Sequence, residues 1–194
     1  MAASTNYPVE LVGEYAERVN RFLWLIKWLL LIPHIVVLWL LSIPLIVTLP
    51  ISWLAVVIWG RNPSFLWNYH TGLLRWGWRV NFYSYSAGNT DQYPPFSFQS
   101  QEEYPADLII EYPESSSRLT GLFRWILIIP HWIIAAILSE IVNILVLFAL
   151  LFLLFTGRYS QDLFNIIMGL NRWIYRANAY GWLLVDAYPP FSFD

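Results

Sequence analysis

The sequence predicts a mainly α-helical membrane protein made of two tandem, pseudo-symmetric repeats. Three observations predict it. The 194 residues are 58% hydrophobic and 12% charged, with a mean hydropathy of +0.49, whereas a soluble domain carries about 25% charged residues. Two apolar runs, 22–60 and 125–157, hold one charged residue each, Lys27 and Glu140. The two halves of the chain also match each other at an offset of 97 residues. Each half reads as a short strand, an apolar helical hairpin, an interfacial amphipathic helix and a further strand. Together they give about four transmembrane helices over a small cytoplasmic β layer.

Composition also excludes. A net charge of -2 offers no basic face to nucleic acid. The lack of cysteine removes disulfides, thiolate metal sites, iron–sulfur clusters and cysteine nucleophiles. Aromatic residues make up 19%, and Trp and Tyr, each apolar with a polar tip, favour the membrane–water interface. The N-terminus lacks a basic region and a small-residue cleavage site, so no signal cleavage is expected.

Each element has its own warrant. Val9, Leu11, Gly13 and Tyr15, with Glu10 and Glu14 between them, alternate as a half-buried strand does. Ala106, Leu108, Ile110 and Tyr112 repeat the pattern around Asp107 and Glu111. Membrane hairpins follow, at about 21–60 and about 118–157. One helix through such a run, rising about 1.5 Å per residue, would overshoot a ~30 Å hydrocarbon core. Two short helices fit, turning at Ser42-Ile43-Pro44 and at Ser139 to Asn143. Arg18, Arg21, Lys27, Arg61, Arg118, Arg124 and Arg158 flank the runs, and neither turn holds Lys or Arg. Two crossings per run place every basic residue on one side, with both termini cytoplasmic. The alternatives are an interfacial helix before Pro33 or Pro130 followed by one long tilted crossing, and a shallow re-entrant hairpin.

Segments 64–79 and 160–176 carry the stripes Asn68, Gly72, Arg75, Arg79 and Asn165, Gly169, Arg172, Arg176. Each stripe is one helical face, and broad apolar surface surrounds it, as in an interfacial helix. Segments 80–86 and 177–185 read as strands, and a Pro-Pro pair then ends regular structure. The repeats are 7–98 and 104–193, and the linker 99–103 is too short for independent domains. They form one structural unit about a pseudo-twofold axis along the membrane normal.

The order of these features is itself a pattern. It runs strand, Ile129-Pro130-His131, Thr156-Gly157-Arg158-Tyr159, Arg172-Trp173, then Asp186-Ala187-Tyr188-Pro189-Pro190-Phe191-Ser192. This resembles a bacterial membrane family catalogued as domain of unknown function 4389, present as two copies. Half one departs from it, with Trp59-Gly60-Arg61-Asn62 and Asp91-Gln92 at the matching places. The resemblance implies an integral protein of a bacterial inner membrane. It brings no catalytic residue.

Several constellations are candidates for chemistry. His34 and His131 each follow a proline at repeat-equivalent positions. Facing each other across the axis, they would ligate one haem or each hold a chlorophyll-type pigment. The plainer role is to bond backbone groups that proline frees. Arg75, Arg79, Arg172 and Arg176 match lipid phosphates in geometry, or pair with Glu14 and Glu111, or snorkel. Asp91 and Asp186 fix turns. No catalytic or metal motif is visible.

The expected function is therefore non-enzymatic: an accessory or scaffold subunit of a larger membrane complex, touching lipids and other integral subunits. The alternatives are a lipid-, haem- or pigment-binding module with its ligand between the repeats, and a small transporter.

Overall fold

A computed structural model describes residues 7–193. Its elements run β1 (Val9–Gly13), α1 (Trp24–Leu30), α2 (Ile32–Ser42), α3 (Leu45–Trp59), α4 (Ser64–Tyr83), β2 (Ala106–Ile110), α5 (Arg118–Leu127), α6 (Ile129–Thr156) and α7 (Gln161–Gly181).

The two strands form where alternation placed them, and they pair with each other. The sheet is antiparallel, with Val9 opposite Ile110, Leu11 opposite Leu108 and Gly13 opposite Ala106. Leu11 and Leu108 are repeat-equivalent, so the pseudo-twofold axis passes between them. The same axis passes through the next layer. There Trp78 of α4 meets its equivalent, Tyr175 of α7, with ring centroids 5.1 Å apart. Beyond this lies a third layer, α2–α3 from half one and α6 from half two. A sheet, two central helices and two long apolar helices thus stack along one axis.

The halves are interleaved. The segment after β1 docks on the end of α6, where the Tyr159 N–H bonds to the Glu17 carbonyl at 2.9 Å and the Tyr15 hydroxyl to the Tyr159 carbonyl at 2.6 Å. The segment after β2 does the same at the end of α3, through the Ser116 N–H to the Gly60 carbonyl at 2.8 Å and the Tyr112 hydroxyl to the Asn62 carbonyl at 2.6 Å. Gly60 and Gly157 end α3 and α6 with φ of 68° and 75°, the left-handed cap that glycine adopts without a Cβ penalty.

The expected hairpins are not built. Helix α6 runs unbroken for 28 residues through Ser139, Glu140 and Asn143. No Gly or Pro stands there, and the Ser139 hydroxyl bonds back to the Ala135 carbonyl at 2.8 Å, inside the helix. In half one, α2 and α3 together span Ile32 to Trp59, the repeat equivalent of α6. The break at Ile43-Pro44 interrupts the helix but does not reverse the chain, because both residues keep right-handed helical dihedrals (φ -56°, ψ -46° and φ -60°, ψ -18°). Proline removes one N–H and interrupts the ladder there. Each run is thus a short helix (α1 or α5) followed by one long helical path. Helix α6 is long and apolar enough to cross a membrane by itself, and α1 with α2, bent by 46°, passes the same test only as a pair, the shape of a broken span or of a re-entrant loop.

Two other expectations change. Segments 80–86 and 177–185 do not form strands: α4 continues to Tyr83 and α7 to Gly181. No breaker precedes Ser84, and Trp76, Val80 and Tyr83 continue a helical face at i, i+4, i+7. The sheet therefore has two strands. The helices expected to lie at an interface are instead the most enclosed ones. Trp78 and Phe82 of α4 are 0% exposed, and Trp173 of α7 is 2% exposed.

Candidate functional site

The two histidines occupy matching aromatic cages. Each sits in the first turn of its helix, after Pro33 or Pro130, and each is fully buried. His34 stacks on Phe96, with centroids 3.8 Å apart and planes 15° apart, beside Tyr93. Its Nδ1 accepts a hydrogen bond from Trp76 Nε1 at 3.0 Å. His131 stacks on Phe191 at 4.6 Å and 15°, beside Tyr188 and Trp173. The Tyr-Pro-Pro-Phe segment thus folds back as a lid over the histidine of its own half. The structure does not bring His34 and His131 together among the described residues. A metal would approach a ring nitrogen in the imidazole plane, and at His34 one of the two, Nδ1, is already taken by the Trp76 hydrogen bond.

The arginine stripes seat the same segment. Arg75 donates to the Phe98 carbonyl at 3.0 Å and to the Leu108 carbonyl at 2.8 Å, and its Nε lies 3.3 Å from Asp107. Fully buried Arg79 donates to the Ser97 carbonyl at 2.5 Å. Its burial lowers its pKa from the usual value, against the pull of Asp107. Gly72 makes room for the tail, since a Cβ there would stand 2.6 Å from the Cβ of Phe98. In half two, a Cβ at Gly169 would stand 3.0 Å from the Phe193 carbonyl oxygen, and Arg176 lies over the Tyr7 ring at 5.6 Å. Arg172 is half-buried. Glu14 and Glu111 are exposed, and they extend the sheet through their backbone N–H groups, to Pro105 and Pro8. The acidic partner of the Arg75 stripe is Asp107 from the other half, not Glu14.

Sequence reasoning missed a second pair of equivalents. Lys27 is 2% exposed, donates to the Thr90 carbonyl at 2.7 Å and lies 4.5 Å over the Tyr83 ring. Arg124 is its repeat equivalent. It is 2% exposed, donates to the Val185 carbonyl at 2.8 Å and to Asp186 at 2.6 Å, and lies 4.5 Å over the Tyr180 ring. The signal was available: Lys27 is the one charge in its apolar run, and a cation stands 97 residues later. Asp91 and Asp186 also accept from the backbone N–H of Asn20 and Ser117, ahead of α1 and α5, at 2.7 and 3.1 Å. They pin the loop after the last helix of each half back to the start of that half's first helix, which extends the turn-fixing role expected of them. His70 is a further buried group. Its Nε2 lies 2.9 Å from Thr48 Oγ1, and burial pushes its pKa down to about 4, which keeps the ring neutral.

A cavity of about 390 Å³ lies on the pseudo-twofold axis. Repeat-equivalent pairs line it: Ser42 with Ser139, Leu45 with Val142, and Asn81 with Asn178. Asn143 and Asn171 add further carboxamides. Polar residues of α4, α6 and α7 that looked scattered along the sequence converge here, because the axis brings both halves to one point.

The family described as a domain of unknown function (DUF4389) matches residues 23–97 and again residues 118–192. These two stretches hold both histidine cages, both buried cations and the cavity lining. No curated protein and no solved structure matches the chain. The chain belongs to this family and carries two copies of its domain in tandem.

Proposed function

We propose that the protein is a non-enzymatic integral membrane subunit, an accessory or scaffold component of a larger bacterial inner-membrane complex. One observation carries this reading: a set of charged and polar side chains is drawn into the fold while large apolar side chains of α1, α5 and α6 face outward. Arg75, Arg79, Lys27, Arg124, His34 and Asp107 are spent on the fold. Outside, α6 exposes Ile133, Ile137, Ile144, Phe148 and Phe155, and α1 and α5 expose Leu25, Trp28, Leu119 and Trp125. Only 28% of the most apolar window of α6 is buried. In water such a surface would drive aggregation, whereas lipid or a partner helix satisfies it.

The membrane is met by α1–α3, α5 and α6, with the β layer on the cytoplasmic side. The exposed Arg18, Arg21, Arg61, Arg118 and Arg158 support that orientation. They gather at the rims where the segments after β1 and β2 meet the ends of α6 and α3, and basic rims favour the cytoplasmic face. Helix α6, about 42 Å long by its rise per residue, exceeds the ~30 Å core and would lie tilted.

The test is native mass spectrometry of the protein gently extracted from its own membrane. Integral subunits retained at fixed stoichiometry are expected. A bare chain under every mild extraction would contradict the subunit reading. A second reading, a binding module with its ligand between the repeats, is favoured by the axial cavity. That cavity is distinct from the two histidine cages.

A further inference from the structure

We propose that the axial cavity binds an uncharged, hydroxyl-bearing group, the glycerol moiety of a neutral lipid. This rests on the binding-module reading above and names its ligand class. Four observations lead there.

The first is polarity without charge. Carboxamides and hydroxyls line the cavity, and none of the chain's 11 Lys and Arg or 13 Asp and Glu residues does. A phosphate or a carboxylate placed there would meet no counter-charge among the lining side chains.

The second is unused hydrogen-bonding capacity. Asn81 donates to the Tyr175 hydroxyl at 3.1 Å, and Asn171 to the Ser86 carbonyl at 2.8 Å. The carboxamides of Asn143, an exposed residue, and of half-buried Asn178 make no hydrogen bond to another described residue. Each carries two N–H donors and an acceptor oxygen. A vicinal diol, which both donates and accepts, matches that pairing, whereas a purely apolar occupant leaves it unmet.

The third is the wall. Leu38, Leu45, Val142 and Ile174 supply apolar surface beside the amides, as an acyl or glyceryl carbon needs. The fourth is room. Gly77 lines the cavity, and a Cβ added there meets nothing within 4 Å. Its repeat equivalent is Ile174, so glycine at this position keeps one side of an otherwise symmetric cavity open.

The same diol chemistry occurs in a lipid headgroup and in free glycerol, and the experiment separates them. The delipidated 194-residue protein in detergent is titrated with 1-monooleoylglycerol, with dioleoylphosphatidylglycerol and with glycerol, and read by native mass spectrometry and thermal shift. One 1-monooleoylglycerol per chain is expected, at concentrations where the anionic lipid, whose headgroup carries the same diol beside a phosphate, gives only graded adducts. Occupancy falls at least tenfold in Asn143→Leu/Asn178→Leu. Gly77→Leu fills the cavity from its open side and keeps both amides, so it gives the same loss if the double variant fails to fold. A melting shift with glycerol alone, lost in Gly77→Leu, supports the diol chemistry with a free polyol as its source. Tighter binding of the anionic lipid overturns the ligand class but not the binding reading. No binding by any of the three, with both variants behaving as wild type, overturns the binding reading itself.

Discussion

Arg124 and Asp186 show how a charge is kept inside an apolar run. The guanidinium is 2% exposed at its side chain and the carboxylate 32%, with 2.6 Å between them. Such a pair adds little to stability when intact, but removing one partner strands the other charge. Asp186→Asn should therefore lower stability by about 1–3 kcal/mol, because the buried Arg124 loses its counter-ion and keeps only carbonyls. Arg124→Met/Asp186→Asn should recover part of that loss. Glu17→Gln, at the exposed pair with Arg158, should change stability by less than about 1 kcal/mol. Thermal unfolding in one detergent checks all three. At this scale the sequence was informative about residue type and less so about partner. The two histidines, the arginine stripes and the turn-fixing aspartates were all visible. Their partners were not, because Phe96 lies 62 residues from His34, and Asp107 belongs to the opposite half from Arg75.

At the scale of elements, periodicity located β1, β2 and the starts of α4 and α7, and it misplaced the reversals. Ser139 to Asn143 looked like a turn because it is the one polar interruption in its run. Serine and asparagine do not end a helix when they can bond within it or line a cavity, and here they do both. The same limit explains the two strands that proved to be helix. Val80 to Ser86 is rich in β-branched and aromatic residues, but burial against the sheet and α7 outweighs that weak preference. Glycine makes the energetics of these elements testable. Gly77 is a helical residue with open space at its Cβ, so Gly77→Ala should raise stability by roughly 0.5–1 kcal/mol. Gly157 has φ 75° and lies against the guanidinium of Arg21, so Gly157→Ala should lower it by about 1 kcal/mol or more. Denaturant or thermal melts of the two variants should move in opposite directions.

The whole molecule is one fold made by two halves that exchange contacts. Among the described residues, strand β1 pairs only with β2, and each post-strand segment caps a helix of the other half. Neither half, produced alone, should fold. The two co-produced as separate chains, 1–100 and 101–194, should reassemble. A stable, melting-competent single half would show that the interleaving is dispensable. The repeat spacing made the twofold legible from sequence, and the Leu11–Leu108 pair gives it a physical centre. The axial cavity was not legible, since its lining comes from α2, α3, α4, α6 and α7 and no local motif gathers those residues.

The central claim is that α6 and its equivalent path α2–α3 lie in lipid while the β layer faces the cytoplasm. The chain has no cysteine, so single cysteines report without interference. Ile137, Ile144, Phe148 and Glu14 would each be replaced by cysteine in protein reconstituted into its native membrane, and labelled with a membrane-impermeant maleimide. The account predicts rapid labelling at position 14 from the cytoplasmic side only, and protection at 137, 144 and 148 until detergent is added. Labelling of the three α6 positions as fast as position 14 in intact membranes would contradict it.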